Sequence, residues 1–272
     1  MFGANAAVAL VDENPEAVTG LRGPYLMGTS TSNNNNNNNR SNIYHADAVD
    51  YLPTIPANSV DCIFTSPDPI QTNAEFYKII EILGMQVKRV LKPTGSLWVH
   101  MEDRFNEHGS LMRYPARFTT EMVHEYGWIM RAERIWHLPV GDMGFFNEGK
   151  TVDNNRLILD HCYLYHFTNS RHGYYNNFAD FQGQPCSIFT ERRPLKPGSD
   201  KEYEPGFSAE LVKQTLLISC PDDGTILDPF CGWGTTGVVA FLMKDKHYKF
   251  IGIDIDEERL KTAQERLEKA LV

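Results

Sequence analysis

The sequence predicts an α/β fold, with a largely parallel sheet covered by helices on both faces. Three observations carry that expectation. Short β-branched and apolar runs of strand length recur along the chain, as in Val60 to Thr65 (VDCIFT). Between them apolar residues fall at helical spacing, as in Phe76, Ile79, Ile80, Leu83, Val87, Val90 and Leu91. Near the C-terminus a glycine-rich turn, Gly232 to Gly237, joins an apolar strand to a helix. Strands alternating with helices in this way build parallel sheets with both faces covered.

Taken in order, residues 1–41 read as a flexible lead-in, because the run Asn33–Asn39 has no apolar surface to bury. A single domain over 42–272 follows. Ile43-Tyr44-His45 is a short strand, and a brief helix carries Val49 and Leu52. The turn-like Pro56-Ala57-Asn58-Ser59 leads into the strand at Val60. The helix Phe76–Leu91 stops at Pro93-Thr94-Gly95, and Ser96 to Met101 is the next strand. A helix over Phe118–Tyr126 precedes the strands Ile129–His137 and Leu159–Phe167. Helices are expected at Phe207–Ile218, Thr235–Met243 and Glu257–Leu271, with strands at Ile226-Leu227 and Phe250–Ile253 between them. Gly141–Asn155 and Phe178–Glu204 break the alternation; rich in Gly, Pro, Asn and charge, they read as surface excursions, where function often sits.

Bulk composition bounds the function classes. At 42% hydrophobic and 22% charged residues the chain is ordinary for a soluble globular protein. There is no bilayer-length apolar run and no basic-then-apolar N-terminus, so a cytoplasmic or nucleoid location is expected, with no membrane contact. The five cysteines (Cys62, Cys162, Cys186, Cys220, Cys231) form no C-x-x-C pair, which argues against disulfide scaffolding and structural zinc. His161, His166 and His172 make no metal set, since the first two point to opposite faces of a strand. No metal is expected. The net charge of −9 disfavours a protein coated in basic surface but permits a local basic face.

TILDPFCGWGTTGVVAFL is the most informative stretch. Its glycines allow close backbone approach to a ligand, and the helix after them presents unpaired N–H groups. About 20 residues on, FIGIDID runs into Asp254, an acid placed to accept from ribose hydroxyls. Gly232-Trp233-Gly234-Thr235-Thr236-Gly237 formally satisfies the dinucleotide spacing, a weak signal alone. Asp228 would repel a pyrophosphate, and no later strands follow before Val272. A sulfonium-bearing cofactor without phosphates tolerates Asp228 better.

DPFCGWGTT resembles the cofactor motif D-P-F-x-G-S-G-T-T of the S-adenosylmethionine-dependent DNA amino-methyltransferases, with Trp233 in place of the usual serine. FIGIDID resembles the next strand of that family. The catalytic half precedes the cofactor half, as in its permuted (beta) group. The resemblance implies a Rossmann-like methyltransferase fold with a mixed, mostly parallel seven-stranded sheet. It also implies S-adenosylmethionine as cofactor, held by Asp228, Phe230, Gly232, Gly234, Thr235 and Asp254. EPGFSAELVKQTLL is similar to the His-Pro-Ala-x-Phe-Pro segment that lines the methionine end, although the histidine is absent. Phe207 and Ser208 become cofactor neighbours by that match; the plainer alternative is a helix start capped by Ser208.

IYHADAVDYLPTIPANSVDCIFTSPDPI resembles the family's opening, which delivers Ser-Pro-Pro-Tyr or Asp-Pro-Pro-Tyr from a strand end. By that match Asp47 lies beside the cofactor adenine, and Ser66 and Pro67 fill the first two catalytic positions. An exocyclic amine is a poor nucleophile because its lone pair is delocalised. A side-chain oxygen and a neighbouring carbonyl can accept its protons while the family's aromatic stacks on a base taken out of the duplex. This sequence departs from the pattern at Asp68, where the second proline is expected, and at Pro69, where the aromatic is expected. Asp68 is then a shifted acceptor, a charge assisting Ser66, or the mark of an impaired site; Phe76, Tyr77 or another loop would supply the aromatic.

A serine at the first position is commoner in the cytosine-N4 members, so the resemblance implies methylation of cytosine N4 in DNA. Adenine N6 or RNA remains the alternative, as does a cofactor-binding but silent partner subunit. Target recognition would fall to 141–155 and 178–204, the latter holding Arg192, Arg193, Lys196 and Lys201 for phosphate contact or as a solvated loop. So small a region implies a short target or a homodimer sharing the work. A cognate endonuclease is the other partner left open.

Overall fold

Apolar runs of strand length pair into one eight-stranded sheet in the computed structural model, which describes residues 41–138, 159–176, 187–190 and 207–271. The strands are β1 (Ser41–His45), β2 (Val60–Thr65), β3 (Leu91–Met101), β4 (Ile129–His137), β5 (His161–Thr168), β6 (Ile188–Thr190), β7 (Thr225–Asp228) and β8 (Lys249–Asp254). Their order is β1-β8-β7-β2-β3-β5-β4-β6. The five strands from β1 to β3 run parallel, and β5 pairs antiparallel with both β3 and β4. The expected mixed, mostly parallel sheet is therefore present.

The expected strand count of seven is corrected to eight. Residues Ile188-Phe189-Thr190 pair parallel with Ile135-Trp136-His137 and bury only Phe189. A strand of three residues leaves too short an alternation to detect, and it lies inside a stretch read as a surface excursion. Residues 178–186 and 191–204, with Cys186 among them, all of 141–155, the lead-in 1–40 and Pro205-Gly206 lie outside the described residues.

Helices cover both faces. On one side α1 (Ala48–Tyr51), α2 (Asn73–Glu81), α3 (Val87–Val90) and α4 (Tyr114–His124) pack Leu52, Phe76, Ile80 and Phe118 onto Ile63, Leu97, Val99 and Leu227. On the other, α5 (Ala209–Ser219), α6 (Thr235–Leu242) and α7 (Glu257–Leu271) pack Leu211, Ala240 and Leu267 onto Phe64, Trp98, Ile226 and Phe250. Buried on both faces, β2 has the continuous apolar run expected of a central parallel strand.

Helix boundaries shift where local chemistry intervenes. The helix expected at Phe76 starts at Asn73, because Thr72 and Glu75 form a reciprocal capping box. It is interrupted by a π turn at Ile82–Gln86, where Gly84 lies against the Tyr126 ring. A Cβ at Gly84 would stand 2.6 Å from that ring, and the Gly84 carbonyl accepts from Trp128 Nε1 at 3.2 Å. β3 begins at Leu91 rather than Ser96, with a register shift between Val60 and Cys62 absorbing the Pro93-Thr94-Gly95 turn. α5 begins at Ala209 because Ser208 caps it, accepting from the Glu210 and Leu211 N–H groups.

Candidate active site

The carboxyl ends of β1, β8, β7 and β2 are adjacent and point the same way. From β2 the chain continues to β3 on one side, while β7, β8 and β1 lie on the other. This is a topological switch point, where open α/β sheets bind ligands. The expected site residues gather here: Asp47 just beyond β1, Ser66 just beyond β2, the glycine loop beyond β7 and Asp254 at the end of β8.

Asp228 is wholly buried and organises the edge. Its carboxylate accepts from Thr65 Oγ1 and Thr236 Oγ1, both at 2.7 Å, and from the Phe230 N–H at 3.2 Å. One side chain thus ties the end of β2 to the loop and to the start of α6. Burial pushes its pKa up to about 7, against the pull of these donors.

The Asp254 carboxylate accepts from the Gly232 N–H at 2.7 Å and the Asp256 N–H at 2.9 Å. The loop is further pinned by Cys231 N–H on the Ile253 carbonyl and Gly234 N–H on the Cys231 carbonyl. Gly232 and Gly234 both have positive φ, at 48° and 75°. They differ in surroundings. A Cβ at Gly234 would stand 2.9 Å from Ala263 Cβ, whereas one at Gly232 would meet nothing within 4 Å. Gly234 is needed for the turn against α7, and Gly232 leaves open room beside Asp254. Ile255, 67% exposed, adds an apolar surface next to that acid.

This cradle fits a nucleoside with a free diol. Asp254 supplies acceptors, Ile255 supplies apolar surface, and Gly232 keeps the backbone open. Asp47 lies across the edge; it caps α1 through the Val49 N–H and pairs with Lys78 at 2.6 Å. Burial pulls its pKa upward, but the Lys78 hydrogen bond and charge and the Val49 N–H outweigh burial and hold it below the ordinary value. Thr235 is half-buried, within 3.4 Å of Arg266, and Phe230 is half-buried against the first core. Phe207 is buried 4.8 Å from Phe64. Burial and the Asp228 and Asp254 charges push the Cys231 thiol well up, which disfavours its thiolate.

At the β2 end, Ser66 Oγ lies 2.8 Å from His100 Nδ1. His100 sits near the end of β3 and packs near Trp136 and Phe207. Sequence patterning does not reveal this partner, since only the parallel register that pairs Thr65 with Val99 brings the two together. Pro67 is half-buried and Asp68 exposed. Asp68 engages Arg259 of α7, with both carboxylate oxygens within 3.0 Å of one guanidinium nitrogen. Phe76 is fully buried against Tyr114 and cannot stack on an outside base, which leaves Tyr77, 54% exposed on the same helix, or a residue of another loop. The structure also brings donor atoms of His100, Glu102 and Cys162 within 4.8 Å of one another, with the Cys162 thiol 3.7 Å from a Glu102 oxygen.

The family described as DNA methylase, N6_N4_Mtase, matches residues 24–265 of the chain. The chain belongs to this family. Type II methyltransferase M.Cfr9I of Citrobacter freundii is 25% identical, over 84% of this chain and 88% of its own length. Type II methyltransferase M.XycI of Xanthomonas campestris pv. cyanopsidis is 24% identical over the same shares. In fold, the DNA methylase is similar to the cytosine-N4-specific PvuII DNA methyltransferase, with a TM-score of 0.69 at 19% identity, covering 85% of this chain and 90% of that one. A DNA modification methylase of Thermus thermophilus, solved with S-adenosyl-L-methionine, matches with a TM-score of 0.64 at 18% identity over 85% and 94%. The amino-methyltransferase class and the S-adenosylmethionine cofactor expected from the sequence agree with this membership. Among the described residues no helix is long and apolar enough to cross a membrane.

Proposed function

We propose that this DNA methylase methylates the N4 amine of cytosine, using Ser66 and its partner His100. The observation that carries this is the 2.8 Å contact between Ser66 Oγ and His100 Nδ1 at the carboxyl edge, beside the glycine loop. When bound, S-adenosylmethionine supplies a methyl group on a positively charged sulfur. Asp254 would accept from its ribose hydroxyls, Gly232 and Gly234 shape the loop beneath, and Ile255 and Asp47 would border its adenine. Phe207, Phe230 and Thr235 wall the remaining cradle. Asp228 acts from beneath by holding the loop.

With the Ser66 hydroxyl donating to His100 Nδ1, the Ser66 oxygen keeps lone pairs that can accept a proton of the target amine. The Pro67 carbonyl is the neighbouring second acceptor. Two acceptors favour a tetrahedral nitrogen, freeing its lone pair for the incoming methyl. The proton lost after transfer passes toward Ser66 and His100, which are placed to hold it. The base reaches this edge by leaving the duplex, with Tyr77 the exposed aromatic nearest in the chain to the Ser66 loop. Asp68 is engaged by Arg259, so it does not support the adenine alternative.

The test is incubation with unmethylated DNA and S-adenosylmethionine, followed by mass analysis of the nucleosides. N4-methylcytosine is expected. N6-methyladenine as the product would replace the base assignment while keeping the methylase.

A further inference from the structure

Two of this chain's departures from the family's motifs, Trp233 and Asp68, meet on the same side chain. Arg259 Nη1 lies 3.0 and 2.9 Å from the two Asp68 oxygens, and the guanidinium stands 4.9 Å over the Trp233 ring. Arg259 Nε is 3.3 Å from Asp256 Oδ2. A residue of α7 therefore binds the loops that follow β2, β7 and β8 together, across 191 positions of sequence from Asp68.

We propose that Arg259 is a positioning residue that fastens the Ser66-Pro67-Asp68 loop to the cofactor loop. This rests on the assignment of Ser66 as the proton acceptor. Fold stability does not account for the arrangement: the Asp68 side chain is 74% exposed, and exposed ion pairs add little. What the pair does fix is geometry. The loop is held at its start by Thr65 on Asp228, at Ser66 by His100 and at its end by Arg259. Arginine suits the third tether because its planar group can fork to carboxylates and stack on an indole together. Asp68 is then occupied as an anchor and does not serve as the proton acceptor.

The test is a double-mutant cycle on the full chain with Asp68→Asn, Arg259→Gln and the pair, together with Arg259→Lys. Each single change is expected to lower kcat by about 10- to 100-fold, the scale on which misplacement of reacting groups acts. The double variant should be no worse than the poorer single one, because both remove one contact. Melting temperatures should stay close to wild type, KM for S-adenosylmethionine should move by less than about threefold in Asp68→Asn, and Arg259→Lys should recover part of kcat. Unchanged kcat in Asp68→Asn, or effects of the two changes that multiply, would overturn the tether. Hydrogen exchange of residues 66–71 is read in the same proteins: it should speed up in Asp68→Asn, and unchanged exchange also overturns the proposal. A wild type that transfers no methyl while Asp68→Asn still loosens the loop would defeat the Ser66 assignment alone.

Discussion

At the scale of single residues, the site is built from side chains that the motifs name and from partners that only the fold supplies. Ser66 and Asp254 stand at strand ends and are legible because the run VDCIFT stops just before the one and the run FIGI just before the other. His100 is not, since nothing in LWVHMED marks one strand residue as the neighbour of Ser66. Ser66→Ala removes the proposed acceptor and should lower kcat by about 10²–10³-fold, the range for losing one positioned polar group. S-adenosylmethionine binding measured alongside should be unchanged. Asp228 behaves differently. Its folded pKa of about 7 is raised by burial above the unfolded value, so the folded protein holds the proton more tightly. Its contribution to stability is therefore most favourable at low pH and is lost as pH rises toward and through 7. Asp228→Asn keeps one acceptor oxygen, for Thr65 Oγ1 and the Phe230 N–H, and turns an amide donor to Thr236 Oγ1, without the titration. Melting curves should show wild type losing ground to this variant from pH 5 to 8, whereas a constant difference would mean that Asp228 stays ionised throughout.

At the scale of elements, the long helices and central strands are readable because their periodicity is sustained. The exceptions have identifiable causes. The eighth strand is three residues long, the π turn depends on Gly84 meeting Tyr126, and the start of α2 is set by a capping box three residues before the first apolar position. The glycine loop shows the same limit. Its spacing identifies a close-approach turn, yet it does not tell which glycine serves packing and which serves the ligand. Gly234→Ala should destabilise the protein by about 1–3 kcal/mol, combining a left-handed backbone with a Cβ forced onto Ala263. Chemical denaturation would measure it; a loss confined to cofactor affinity would assign Gly234 to the ligand instead.

At the scale of the whole molecule, chain order and sheet order together explain why one edge carries the chemistry. The chain delivers Asp47 and Ser66 first and the glycine loop and Asp254 last, while β1-β8-β7-β2 places those four strand ends side by side. The candidate cradle and the proposed amine acceptor Ser66 are thereby held by one parallel sheet, which suits a transfer whose rate depends on orientation. Belonging to the DNA methylase family agrees with this architecture, and the Asp68–Arg259–Trp233 contact joins the loops after β2 and β7. The central claim is that the donor of the methyl group sits against Asp254 in the space left by Gly232. Calorimetric titration of S-adenosylmethionine into wild type and Asp254→Ala tests it most directly, with circular dichroism as the check on folding. The account predicts binding by wild type and an affinity weaker by about 10- to 100-fold in the variant, the range for hydrogen bonds to a charged acceptor. Equal affinity in a folded Asp254→Ala protein would contradict it.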